Sequence, residues 1–173
     1  VNDTLALSSP SSTALGARPV RLLIVDDHPV VRSGLVGMLD SAVDIDVVGQ
    51  AVDGAAAVEL AGELAPDVVL MDLRMPGMDG VEATRRILAV SDPPRVVVLT
   101  TYDTDGDILR AVEAGAIGYL LKDSPREDIL AAVRAAAAGR SALSPSVTTR
   151  LVGAARGTGG GTGAGYGRSR GGA

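Results

Sequence analysis

Short apolar runs that stop at polar residues recur along this chain, and each is followed by residues at helical spacing. The run at 20–25, VRLLIV, stops at Asp26-Asp27. Pro29 then suits a first helical turn, and Val30, Val31, Leu35, Met38 and Leu39 continue at a helical period. A strand at 44–51 and a helix at 54–64 follow, the helix stopped by Pro66. The run at 67–71 stops at Asp72, and the chain turns through Met75-Pro76-Gly77 into a helix at 80–90. A strand at 95–99 finishes at Thr100-Thr101, and a helix at 105–114 is capped by Gly115. A strand at 117–121 finishes at Lys122. Ser124 as cap and Pro125 at the first position predict a last helix to about 138, stopped by Gly139.

Five strands alternating with five helices predict an α/β fold with a parallel sheet and helices on both faces. Continuous apolar strands suit a sheet buried on both sides. Right-handed crossovers limit the topology to doubly wound orders, and periodicity alone does not choose among them. The expected domain layout is a flexible leader at 1–19, the folded domain at 20–140, a linker and helix start at 141–155, and a Gly-rich disordered tail at 156–173. Residues 141–145 read as a loop and 147–155 as a short helix. From Gly153 onward ten of 21 residues are Gly, too few apolar groups to offset ordering entropy.

Composition narrows the chemistry. With 46% hydrophobic residues but no Phe or Trp, the core must be aliphatic. The absence of Cys excludes disulfides and thiolate ligands. No apolar run approaches the ~20 residues that span a bilayer, and the N-terminus lacks a signal-peptide pattern. A net charge of −5 disfavours general nucleic-acid binding by the folded part.

The polar strand ends carry the candidate chemistry. In a parallel sheet, Asp26, Asp27, Asp72, Thr100 and Lys122 fall on one edge, where ligands collect in such folds. Crowded carboxylates repel one another unless a cation intervenes. Oxygen ligands fit Mg2+, Lys122 adds a point charge, and Thr100 adds a rotatable hydroxyl. Together they form a phosphoryl site with Asp72 as nucleophile. His28, the single histidine, reads as a loop and helix-start element rather than a reactive group.

Over about residues 20–140 the sequence resembles the receiver domain of two-component response regulators. The resemblance rests on IVDDHPVVRSGL (Asp26, Asp27), LMDLRMPGMDG (Asp72), VVVLTTY (Thr100) and GAIGYLLKD (Lys122). The spacings agree: 45 residues from Asp27 to Asp72, 28 to Thr100 and 22 to Lys122. The first and last motifs are similar to the NarL/FixJ-like subfamily with a LuxR-type helix-turn-helix output.

That resemblance implies a flavodoxin-like five-stranded sheet of order 2-1-3-4-5. It implies that Asp72 accepts a phosphoryl group from a histidine kinase, with Mg2+ held by Asp26, Asp27, Asp72 and the backbone carbonyl of Arg74. Thr100 and Lys122 would contact the phosphoryl oxygens, and Tyr119 would be the aromatic coupled to Thr100. Arg74, two residues after the acceptor, would lie beside the path of an attacking water. It further implies a cytoplasmic transcription regulator, a homodimer on phosphorylation, and an acceptor rather than a turnover enzyme. No helix-turn-helix pattern follows residue 140, so DNA binding is expected only of a longer protein that carries one. Two alternatives are a phosphorylation-independent interaction module and an aspartyl-nucleophile phosphatase. The phosphatase needs an acid two residues past the nucleophile, where Arg74 stands.

Overall fold

The computed structural model describes residues 18–101 and 104–157. The expected leader up to residue 17, the tail from 158, and Tyr102-Asp103 lie outside the described residues. Twelve elements alternate in chain order: β1 (Val20–Val25), α1 (Pro29–Asp40), β2 (Ile45–Ala51), α2 (Gly54–Leu64), β3 (Val68–Met71), α3 (Gly80–Leu88), β4 (Arg95–Thr100), α4 (Asp105–Glu113), β5 (Gly118–Leu121), α5 (Arg126–Ala137), β6 (Ala142–Leu143) and α6 (Pro145–Gly157).

The strands form one parallel sheet of order β2-β1-β3-β4-β5-β6. The first five follow the order the family resemblance implies, and β6 is an addition at the edge. Residues 141–145 were expected as a loop, yet Ala142 and Leu143 pair with Gly118 and Tyr119. Gly118 permits this approach. A Cβ there would lie 2.8 Å from the Ala142 methyl, so only a glycine lets the sixth strand close on the fifth. The Ala142 amide donates to the Ile117 carbonyl at 3.0 Å and continues the ladder.

Alternation along the central strands divides the core. Leu22, Ile24, Leu70, Val97 and Leu99 face α1 and α5, packing on Leu35, Leu39, Ile129 and Val133. Leu23, Val25, Val69 and Met71 face α2 and α3, packing on Ala57, Ala61, Ala83 and Ile87. Each buried aliphatic side chain contributes about 1.5–3 kcal/mol relative to exposure. A third cluster joins Val98 and Tyr119 to Ile108 and Ala111 of α4 and Val147 of α6, with Leu143 and Leu151 packed against it. The helix expected at 147–155 therefore begins at Pro145, reaches Gly157 and lies over α4.

Two helix ends differ from expectation. Ser124 does not cap α5. Its amide closes a turn onto the Leu121 carbonyl at 3.0 Å, and Pro125 takes the extended cap position with φ −55° and ψ 148°. Helix α3 stops at Leu88 rather than 90, where the Ala89 amide bonds back to Arg86 at 3.3 Å and tightens the last turn.

Candidate functional site

Strand register brings the site together. Val25 of β1 pairs with Met71 of β3, so Asp26 and Asp72 leave the sheet side by side. The Asp26 amide donates to Ala51 at 3.1 Å and the Asp72 amide to Val25 at 3.1 Å, which fixes both backbones. Thr100 ends β4 opposite Leu121, and the Lys122 amide donates to the Thr100 carbonyl at 2.9 Å. The strands thus place Asp26, Asp27, Asp72 and Lys122 within one cleft, with Thr100 fully buried at its edge.

A close approach of backbones supports this edge from below. A Cβ on Gly80 would lie 2.0 Å from the Asp72 carbonyl oxygen, and the Gly80 amide donates to Leu73 at 2.8 Å. The start of α3, capped by Asp79 on the Glu82 amide at 2.9 Å, is pressed directly under the loop that carries Asp72. Sequence reading singled out no role for Gly80, because what it must accommodate is another segment's backbone.

The electrostatics are unbalanced. Asp26 and Asp72 are buried, at 1% and 4% exposure, and Asp27 is partly buried. The Lys122 ammonium donates to Asp72 Oδ2 at 3.0 Å and stands 2.5 Å from Asp26 Oδ2. The second contact is a short ion pair between buried groups. Asp27 Oδ1 is buried without a hydrogen bond. Burial pushes the Asp72 carboxyl above the ordinary range against the pull of Lys122, and the charges of Asp26 and Asp27 push it further. Burial alone would lower the Lys122 ammonium, but Asp26 and Asp72 outweigh it and raise it. Three carboxylates against one ammonium leave a net negative cleft. That donor set suits a hard divalent cation.

His28 joins this group. One ligand atom from each of Asp26, Asp27, His28 and Asp72 can lie within 4.8 Å of the others. Its presence was not expected, since the residue reads as a helix start.

With this geometry in place, comparison with known proteins is decisive. A family described as the response regulator receiver domain matches residues 22–134. This chain belongs to the response regulator receiver domain family. Among curated relatives of the receiver domain, LiaR, a transcriptional regulatory protein of Bacillus subtilis (strain 168), is 45% identical over 133 residues, 77% of this chain and 63% of LiaR. NarL, the nitrate/nitrite response regulator of Escherichia coli (strain K12), is 42% identical over 138 residues, 80% of this chain and 64% of NarL. The chain therefore spans just under two thirds of each relative's length. Among solved structures, the signal receiver domain of a NarL response regulator from Mycobacterium tuberculosis superposes with a TM-score of 0.69 at 43% identity, covering 72% of this chain and 100% of that one. The response regulator ChrA of a heme-sensing two-component system gives 0.67 at 47% identity, covering 79% and 66%.

Two of the expected site residues have contacts that the sequence did not show. Tyr119 is fully buried in the cluster formed with α4 and α6. The Arg74 guanidinium pairs with Asp107 at 3.0 Å. Thr104 also donates to Asp107 at 2.6 Å, and these contacts hold the Asp107 carboxyl below its usual range, the Thr104 hydroxyl foremost. A second pair, Arg110 to Asp79 at 3.3 Å, also joins α4 to the segment between β3 and α3. Neither tie was legible in the sequence, where the partners lie 33 and 31 residues apart.

Proposed function

We propose that Asp72 is the phosphoryl acceptor of a two-component relay. The observation that carries this reading is a buried carboxylate whose Oδ2 is held at 3.0 Å by the Lys122 ammonium, beside the carboxylates of Asp26 and Asp27. A carboxylate oxygen of Asp72 forms the bond to phosphorus while the phosphorus–nitrogen bond of a kinase phosphohistidine breaks, its electron pair leaving on the imidazole. Lys122 fixes the carboxylate's rotation and offsets charge on the transferring group. Thr100, buried at the end of β4, would supply a hydroxyl to the phosphoryl oxygens.

Asp26, Asp27, Asp72 and the backbone carbonyl of Arg74 would hold Mg2+, and the fit rests on three clustered carboxylates that one ammonium does not neutralise. When bound, the ion would supply positive charge to the transferring group, as phosphoryl transfer requires. The phosphoryl group stays on the domain's own side chain, so the domain is an acceptor and not a turnover enzyme.

The added charge of about −1.5 to −2 draws the Thr100 hydroxyl toward the new oxygens, and Tyr119 with α4 re-poses behind it. By likeness to LiaR and NarL, the receiver domain serves a cytoplasmic transcription regulator. DNA contact belongs to a helix-turn-helix carried by a longer protein, and phosphorylation drives pairing of two copies.

The test is labelling by acetyl phosphate with Mg2+. Intact protein mass should rise by one phosphoryl group in the native chain and not in Asp72→Asn. Labelling that persists in that variant places the acceptor elsewhere. Sizing with a beryllofluoride mimic reads the pairing separately, and an unchanged mass overturns that part.

A further inference from the structure

Helix α6 is joined to the sheet through Ser144 alone, because β6 ends at Leu143 and α6 begins at Pro145. Beyond that hinge it lies along α4. Val147, Arg150 and Leu151 recur at three- and four-residue spacing, so they share one face of the helix. Val147 is buried in the cluster with Ile108, Ala111 and Tyr119, and Leu151 packs against it. Arg150 pairs with Asp105 at 2.8 Å, in the first turn of α4.

The same turn of α4 is held on its other flank by the loop that carries Asp72. Asp105 and Asp107 are two positions apart, about 200° around a helix, so they face opposite ways. Asp105 takes Arg150 of α6, whereas Asp107 takes Arg74, which follows Asp72 by two residues. Thr104 caps the turn by accepting from the Asp107 amide at 3.2 Å, and it stands four residues after Thr100. One helical turn therefore connects the phosphoryl site to α6. The docking contact is also small enough to be overturned. Val147 is the one buried residue among the described residues of α6, and Arg150 and Asp105 are 37% and 58% exposed. A helix of 13 residues is marginal by itself, so its order depends on this contact.

We propose that α6 is a latch on the phosphoryl switch: docked across α4 and Tyr119, it holds the receiver domain in its unphosphorylated arrangement, and phosphorylation of Asp72 releases it. The proposal rests on the acceptor reading above and adds the segment that opposes the change. Coupling of this kind is reciprocal, so loosening α6 makes the phosphorylated arrangement easier to reach. The docked helix also covers Ile108, Ala111 and Tyr119, so a partner gains that apolar face only when the latch is open.

Beryllofluoride with Mg2+ mimics the phosphoryl group reversibly, so its affinity, measured by calorimetry, reads the switch. Arg150→Gln should bind it about twofold to fivefold more tightly than the native chain, the range that a part-exposed ion pair contributes. A variant that merely destabilised the fold would bind it more weakly. Arg156→Gln removes the same charge from an exposed position of α6 and should bind as the native chain does. In the native chain, beryllofluoride should speed amide exchange in α6, and Asp72→Asn should show no such response. Native or weaker affinity in Arg150→Gln, an equal gain in Arg156→Gln, or α6 amides that exchange no faster overturns the latch while the acceptor site stands. If the native chain does not bind beryllofluoride, the acceptor reading fails and the latch with it.

Discussion

Lys122 Nζ stands 3.0 Å from Asp72 Oδ2, across 50 residues of sequence, and the same ammonium reaches Asp26. One cation therefore holds two buried carboxylates. Lys122→Met keeps most of the side-chain volume and removes the charge. Breaking a buried pair from one side costs about 3–5 kcal/mol, and Lys122 keeps 13% exposure, so about 2–3 kcal/mol is expected here. Millimolar Mg2+ should raise the melting temperature of this variant more than that of the native chain. Equal increments would show that Lys122 and the divalent ion do not share the same carboxylates.

Asp72 itself opposes folding at neutral pH. Its folded carboxyl is held above the ordinary range, so the native state binds this proton more tightly than the unfolded chain does. Stability then falls as pH rises through the raised value. Asp72→Asn should be more stable than the native chain at pH 7, with a higher melting temperature. The advantage should shrink as pH falls and the native carboxyl takes up its proton. Denaturant titrations at a series of pH values check both the sign and the window.

Gly80 has no room for a methyl group, since a Cβ would meet the Asp72 carbonyl at 2.0 Å. Relief requires moving backbone, not a side chain. Gly80→Ala should cost at least about 3 kcal/mol and reduce acetyl phosphate labelling even where the protein remains folded. Gly62→Ala, where nothing lies within 4 Å of the added carbon, is the control and should be neutral or slightly stabilising.

Helix α6 closes over Tyr119 through Val147, which is 7% exposed. Val147→Asp places a charge in that apolar contact. We expect α6 to detach at a cost of about 2–4 kcal/mol to its docking, with faster amide exchange at 108–119 and little change around Asp72. Unchanged exchange in α4 and β5 would show that α6 does not protect them.

The ion pair between Arg74 and Asp107 is half exposed on the arginine side. Asp107→Asn should therefore change global stability by no more than about 1 kcal/mol. The exchange of amides in the first turn of α4 is the sensitive readout, since Asp107 also binds Thr104 there. A large global loss would mean that the pair anchors the helix rather than adjusting it.

Much of this architecture follows from local pattern. Apolar runs at 20–25, 67–71 and 95–99 suit buried strands, and the intervening helical periods call for parallel crossovers. The polar residues that stop those runs must then share an edge, which is why Asp26, Asp72, Thr100 and Lys122 could be picked out one by one. Their convergence needs no knowledge of any side-chain contact.

What the sequence could not decide depends on partners distant along the chain. Sixth-strand pairing at Ala142 turns on the missing Cβ of Gly118, the direction of Arg74 turns on Asp107, and the burial of Tyr119 turns on α6. His28 is the sharpest case. Its place before Pro29 fixes it locally as a helix start, while only the packed strand ends reveal that its ring faces Asp26 and Asp27 instead of the helix. Periodicity specifies which face of an element is buried. It carries no information about which atoms from another element will meet it there.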